Sequence, residues 1–236
     1  MKPHRVVSPD EWTVARTDLL AREKAATKAR EALTAAKAAM PWMEVETEYA
    51  FDGSNGAVTL ADLFEGRSQL IISHFMFAPE WDAGCPSCSF WADGYNGQIA
   101  HLNQRDVSFA AISRAPIEKL QAYRERMGWS FTWVSSGVSS GGNAFNRDFG
   151  VSFAPDAHEP GANNYNFGTS RFGGSDAPGF SVFARQDGRI LRTYSCYARG
   201  LEVLNPTYHF LDMVPKGRDE AGLDYAQAWV RRRDEY

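Results

Sequence analysis

A chain of 236 residues suits one generous domain or a compact domain with additions, and its 44% hydrophobic and 13% aromatic residues supply a packed core, which excludes a disordered chain. A net charge of −4 gives no electrostatic case for nucleic acid or an anionic membrane surface, and no apolar run is long enough to span a bilayer. The first residues lack the apolar stretch of a signal peptide and three cysteines are too few for a secreted disulfide scaffold, so a cytoplasmic protein is expected.

Ser8, Pro9 and Glu11 read as a capping box opening a helix, with proline at the first helical position, and Val7 and Trp12 stand where a hydrophobic staple would close. The helix is expected to run to about Ala39, where Met40-Pro41 stops it. Trp12, Leu19, Ala26, Leu33 and Met40 recur every seven residues, but the stripe is thin and Arg22 interrupts it. That pattern fits an amphipathic helix lying on the domain or on a second copy better than a coiled coil. Residues 1–41 are therefore expected to be an N-terminal helical arm, suited to a homodimer contact.

Residues 44–51 alternate, with Val45, Thr47, Tyr49 and Phe51 on one face, and predict a half-buried strand. The turn residues 52–56 should return the chain as a hairpin through 57–60, and 61–65 fits one helical turn closed by Gly66. The apolar run 70–77 predicts a strand buried on both faces. It ends in a loop that delivers Gly84-Cys85-Pro86-Ser87-Cys88, and a helix to about Gln104 should follow. A second buried strand is expected over 107–113, a helix over 116–127 with Gly128 past its end, and a short strand over 131–135. Residues 136–178 are rich in Gly, Ser, Asn and aromatics, with one short helix near 143–149, and a loop of that length is usually functional. A hairpin over 180–184 and 190–195 and a helix over 201–213 complete a domain spanning 42–214. The charged tail 215–236 reads as a surface helix or a fraying end.

This element order predicts an α/β fold: a central mixed sheet with parallel core strands and an antiparallel terminal hairpin, flanked by helices. It is the order of a thioredoxin-like, peroxiredoxin-related domain, with the helical arm as an N-terminal extension. The segments 49–53 and 58–63 and the late hairpin 180–190 resemble alkyl hydroperoxide reductase and thiol-specific antioxidant domains. More closely, VVSPDEW, YAFDG, SQLIISHFMFAPEWDAGCPSCSFWAD, SRAPIEKLQAYRERMGW, FNRDFGVSF and TYSCYARGLE resemble a bacterial thioredoxin-like family known as domain of unknown function 899, over nearly the whole chain. The resemblance implies the fold and a redox site at Cys85 and Cys88, which match the family's GCPSC segment, and leaves the reaction open.

Two cysteines separated by two residues at a strand-to-helix junction are the arrangement of a thiol redox pair. A helix N-terminus favours the thiolate, so Cys85 is expected to attack a disulfide or oxidised thiol and Cys88 to resolve the mixed disulfide. That reading makes the protein a thiol–disulfide oxidoreductase with no cofactor beyond its own Cys85–Cys88 disulfide, working on a thiol or disulfide substrate and recharged by a separate reductant. Pro178 is expected to precede the late strand in cis and to present backbone to the substrate, the alternative being an ordinary trans turn proline. Trp81, Pro86, Ser87, Tyr165 and Asn166 are expected to contact the substrate. Trp91, Trp129 and Trp133, with the run 163–167, would line the same pocket or simply fill core and loop.

The competing readings use the same residues. Two thiolates could hold zinc or copper(I) with a distant histidine from His74, His101 or His209, although no second CxxC or CxxH completes a closed site. The pair could also be idle in a binding protein, with the aromatic loop as its partner surface. A peroxidase would need Pro-x-x-x-Thr/Ser-x-x-Cys, but counting from Pro79 places Ala83 at the hydroxyl position and Pro86 at the cysteine position, so that frame fails.

Overall fold

The computed structural model describes residues 4–137, 142–153 and 165–236. The chain divides into two units, Met1–Pro41 and Trp42–Tyr236. The first is a single helix, α1, Pro9–Ala38. Its capping box forms as expected: the Glu11 N–H donates to Ser8 Oγ at 3.3 Å, and the Ser8 N–H donates back to Glu11 Oε2 at 3.0 Å.

The second unit is built on an eight-stranded mixed sheet in the order β1-β8-β7-β4-β5-β6-β2-β3. Its strands are β1 (Met43–Glu44), β2 (Ala50–Gly53), β3 (Gly56–Thr59), β4 (Gln69–His74), β5 (Val107–Ser113), β6 (Thr132–Ser135), β7 (Gly179–Gln186) and β8 (Arg189–Tyr197). The helices are α2 (Pro86–Tyr95), α3 (Ile99–Gln104), α4 (Ile117–Arg126), α5 (Ala144–Asp148) and α6 (Pro206–Leu211). β4, β5 and β6 run parallel, and β7 lies antiparallel against β4 and pairs with β8. This is the mixed sheet with parallel core strands and an antiparallel terminal hairpin expected from the sequence, in a thioredoxin-like arrangement.

Side chains alternate across the sheet, because successive strand residues point to opposite faces. Phe109, Ala111, Trp133 and Phe180 face one apolar layer with α2 and α4, whereas Ala110, Ile112, Val134 and Phe183 face the other. Aromatic contacts dominate the first layer, including Phe75 against Trp133 at 4.6 Å and Tyr95 against Phe109 at 4.6 Å between ring centres. At this density a core buries its apolar surface at roughly 25 cal/mol per Å². The loop that carries the cysteines therefore rests on a rigid floor.

The structure departs from the sequence reading at four places. The alternating run 44–51 is not one strand: Met43–Glu44 pairs with β8 at one end of the strand order, and Ala50–Gly53 pairs with β3 and β6 near the other. Alternation marks strand conformation but carries no information about the partner. The helix after the cysteines stops at Tyr95, and a 3-10 turn over Asn96–Gln98 leads into α3. Asn96 and Gly97 are weak helix formers, and the Asn96 side chain accepts the Ser130 N–H at 2.8 Å instead. Residues 201–213 divide in the same way, into a 3-10 segment Ala198–Leu204 and α6. Asn205 caps α6 by accepting the Tyr208 N–H at 3.3 Å, with Pro206 at the first helical position. Finally, the tail beyond residue 214 neither forms a long helix nor frays. It folds back as turns, buries Val230, and reaches the cysteine loop. Among the described residues no helix is long and apolar enough to cross a membrane.

Candidate active site

The parallel strand β4 ends at His74, and the chain continues through a loop held to its neighbours by backbone hydrogen bonds. The Phe75 N–H donates to Ile112 O at 3.0 Å, and the Cys85 N–H donates to Met76 O at 3.0 Å. Gly84 is required in this loop: a Cβ built on it would stand 2.7 Å from Phe75 Cε1 and 2.8 Å from Tyr123 Cε1. Only a bare backbone lets the turn lie on those two rings.

Cys85 occupies the N-cap of α2 and Pro86 its first turn. The Cys85 carbonyl accepts both the Ser89 N–H and the Ser89 hydroxyl, each at 2.9 Å. Ser89 Oγ also lies 2.8 Å from the Tyr123 hydroxyl on α4, so two helices fix the first turn. Cys85 is half-buried, and Cys88, one turn further in, is 9% exposed. Neither thiol is in a disulfide.

The two thiols are electrostatically unequal. The Cys88 thiol donates to the Cys85 sulfur, and together with the backbone N–H groups of Cys88 and Ser87 and the charge of Arg232 this outweighs burial and lowers the Cys85 thiol from 9.0 to about 7. The Cys88 thiol is raised by its hydrogen bond to Cys85 and by burial. A helix N-terminus favours the thiolate in the same direction.

Arg232 comes from the C-terminal segment that the sequence reading treated as a tail. Its guanidinium donates to the Gly84 carbonyl from Nε at 3.1 Å and from Nη2 at 2.9 Å. Glu235 pairs with Arg232 at 2.9 Å and with Arg126 at 3.0 Å, and Arg126 also pairs with Asp234 at 2.6 Å. Arg233 donates to the Met127 carbonyl. A charged clamp is thus laid over the cysteine loop from the far end of the chain.

Pro178 lines one cavity with Cys85 and Cys88, and its peptide is trans: among the described residues there is no cis peptide bond. The expected cis geometry is corrected to the trans turn. The Tyr165 hydroxyl holds this backbone by donating to Pro178 O at 2.7 Å, and it accepts the Ala198 N–H at 2.8 Å. The preceding residues are anchored by an ion pair between Arg114 and Asp176 at 2.6 Å, with Asp176 buried. Gly179 passes so close to Tyr197 that a Cβ there would stand 2.6 Å from the ring.

The cavity holds about 490 Å³ and places Cys85, Ser87, Cys88, Tyr165 and Pro178 on one wall system with Trp91, Phe172 and Phe180. Trp81 and Pro86 lie on the other side of Cys85, in a polar groove shared with Asp82, Arg126, Arg232 and Glu235. Cys85 borders both spaces. Asn166 is not brought to either: its side chain donates to Ser170 Oγ at 3.3 Å and its backbone is left-handed, at φ 51°. Trp129 and Trp133 belong to the core rather than to a pocket. Asn163 and Asn164 lie outside the described residues. Arg232, Leu201 and Tyr225 were missed as site residues; the apolar Trp229-Val230 pair inside a charged stretch was the one signal that the segment packs.

The histidines do not join the cysteines. His74 is buried under the sheet, its Nε2 lies 2.9 Å from Ser181 Oγ, and burial lowers its imidazole from 6.5 to about 3. Among the described residues no group of three or more His, Cys, Asp or Glu side chains is placed to hold a metal ion.

The family model described as "Bacterial protein of unknown function (DUF899)" matches residues 1–236. No curated protein matches the sequence. Similar solved structures include a peroxidoxin, BcpB, from Mycobacterium tuberculosis, 14% identical over 66% of this chain and 84% of that one, at a TM-score of 0.44. Peroxiredoxin Q from Xanthomonas campestris is 11% identical over 72% of this chain and 93% of that one, at a TM-score of 0.42.

Proposed function

The chain belongs to this bacterial DUF899 family, and on that premise we propose that it is a thiol–disulfide oxidoreductase whose working pair is Cys85 and Cys88. The observation that carries the reading is the inequality of the two thiols: a half-buried Cys85 at a helix N-terminus, lowered to about 7, beside a buried Cys88 that donates to it and is itself raised. Thiol–disulfide exchange needs an attacking thiolate near ambient pH and a second thiol that stays protonated until its turn. In this reading Cys85 attacks a substrate sulfur, a mixed disulfide forms, and Cys88 then attacks Cys85 and expels the substrate thiolate. The substrate leaves reduced by two electrons, and an external dithiol, or two monothiols that end joined as a disulfide, returns the Cys85–Cys88 disulfide to the dithiol. Three cysteines, two of them in one close CxxC, suit a reducing compartment better than a secreted disulfide scaffold, and we assign the protein to the cytoplasm on that ground.

Pro178 lines the same cavity as the two thiols, and that placement is what supports a substrate-facing role for it. A metal reading of the same thiols finds no third ligand gathered among the described residues. The test is a redox titration read by alkylation and intact mass, together with a Cys88→Ser variant challenged with a disulfide. One two-thiol transition assigned to Cys85 and Cys88, with a mixed disulfide accumulating on Cys85 in the variant, is expected. A pair that stays reduced in oxidising buffer, or that alkylates only after chelation, overturns the proposal.

A further inference from the structure

The two spaces that meet at Cys85 differ in chemistry. The groove on the Trp81 side is charged on both signs, and its arginines are already committed to Asp234 and Glu235. The cavity on the Cys88 side is walled by aromatic and aliphatic side chains, with Trp91, Phe172, Phe180, Leu201 and Tyr225 around the thiols. Its volume of about 490 Å³ falls among pockets that hold small organic ligands. Its charged lining is two guanidinium groups, Arg171 and Arg199, against one carboxylate, Glu202. That carboxylate is shared: Arg199 meets it at 3.0 Å, and Arg218, from outside the cavity, meets it at 3.1 Å. The lining therefore carries an excess of positive charge beside an apolar interior, and Arg171, next to the lining residue Phe172, is exposed.

Resting on the oxidoreductase reading above, we infer that this cavity selects small disulfides with an aromatic or apolar body and a carboxylate. The body would be buried against Trp91, Phe172 and Phe180, and the carboxylate would meet a guanidinium of the lining, an arrangement arginine favours through paired N–H donors. The chemistry balances within the pair. The Cys85 thiolate bonds to one sulfur of R–S–S–R and expels one RS⁻. The Cys88 sulfur, its proton passing to solvent, then bonds to Cys85 and expels the second RS⁻. Each reduced protein releases two thiolates and ends with one Cys85–Cys88 disulfide.

The experiment uses the full chain, reduced and then freed of reductant, in single turnover against three probes. These are 5,5′-dithiobis(2-nitrobenzoate), aromatic and anionic; 2,2′-dithiodipyridine, aromatic and neutral; and cystamine, aliphatic and cationic. A Cys85→Ser control subtracts any reaction at Cys196. Arg171→Gln is expected to slow the anionic probe by about five- to tenfold, the loss of one charge-assisted contact of about 1–1.4 kcal/mol, and to leave the neutral aromatic probe within about twofold. Raising the salt concentration should shrink the same difference in the wild type. If Arg171→Gln slows both aromatic probes alike, or if the wild type reacts with cystamine as readily as a free thiol of equal pKa would while showing no preference for the anionic probe, the cavity assignment is wrong. Those outcomes leave the redox pair intact. Failure of Cys85 to react with any of the three removes the oxidoreductase reading itself.

Discussion

Replacing Cys88 with alanine isolates the largest influence on Cys85. The hydrogen bond from the Cys88 thiol is the first cause of the lowered Cys85 value of about 7, against 9.0 for an ordinary thiol. At pH 7 a thiol with the lower value is about half ionised, and one at 9.0 is about 1% ionised, so the reactive fraction falls roughly 50-fold. A more basic thiolate is also a better nucleophile: with a Brønsted slope of 0.4–0.5, two units return about eightfold. The net loss is about sixfold at pH 7, and it is a ceiling, because the backbone N–H groups at 87 and 88 and the Arg232 charge remain. The intrinsic gain also makes the two rate profiles cross: above about pH 8, where the wild-type thiol is already almost fully ionised and the variant's fraction is still rising, Cys88→Ala should react faster than wild type. The assay is iodoacetamide alkylation from pH 5 to 10, followed on the Cys85 peptide by mass so that Cys196 does not contribute. An unshifted midpoint in Cys88→Ala, or a wild-type midpoint equal to that of a free cysteine, would refute the argument that Cys88 tunes Cys85.

Arg232→Gln should raise the Cys85 midpoint in the same assay by less than Cys88→Ala does, with Arg232→Lys recovering part of the shift, since the charge of Arg232 is a smaller cause than the Cys88 hydrogen bond; identical profiles for all three proteins would remove Arg232 from the site. His74, buried and held neutral down to about pH 3 against 6.5 when exposed, gives a pH dependence of known sign. Its folded value is depressed, so its full contribution is present above pH 6.5 and is lost as the pH falls towards 3, at about 1.4 kcal/mol per pH unit. Urea midpoints between pH 8 and 4.5 should fall more steeply for the wild type than for His74→Gln, and parallel slopes would show that His74 is not the linked group.

The parts of the fold that rest on local pattern were legible in the chain. Val107–Ser113 is the strand that its apolar run predicts, and the turn at Asp187-Gly188, with both residues at positive φ, closes the hairpin between β7 and β8. The cysteine pair was found because spacing, strand and helix start coincide within twenty residues. What was not legible depends on partners distant in sequence. The alternating residues 44–51 satisfy the period of a strand whether they pair with one neighbour or divide between two. Asn166 has the composition of a binding residue, but a left-handed backbone turns its amide to Ser170. Trp129 and Trp133 look like pocket residues by type, and ring contacts with Phe131 and Phe75 commit them to the core. Asn96-Gly97 and Asn205-Pro206 were readable helix breaks, outweighed by the apolar periodicity around them.

The bond from Arg232 to Gly84 joins residues 148 positions apart. During synthesis the chain emerges N-terminus first, and the parallel strands with their crossover helices, all between residues 69 and 135, can assemble long before residue 232 exists. The loop that Arg232 closes is among the longest the chain could form, and long loops close last. Until that segment is made, the chain lacks both the guanidinium that meets Gly84 and the Tyr225 and Gln227 side of the neighbouring cavity. Part of the lowering of the Cys85 thiol therefore comes from a residue translated 148 positions after the turn it touches.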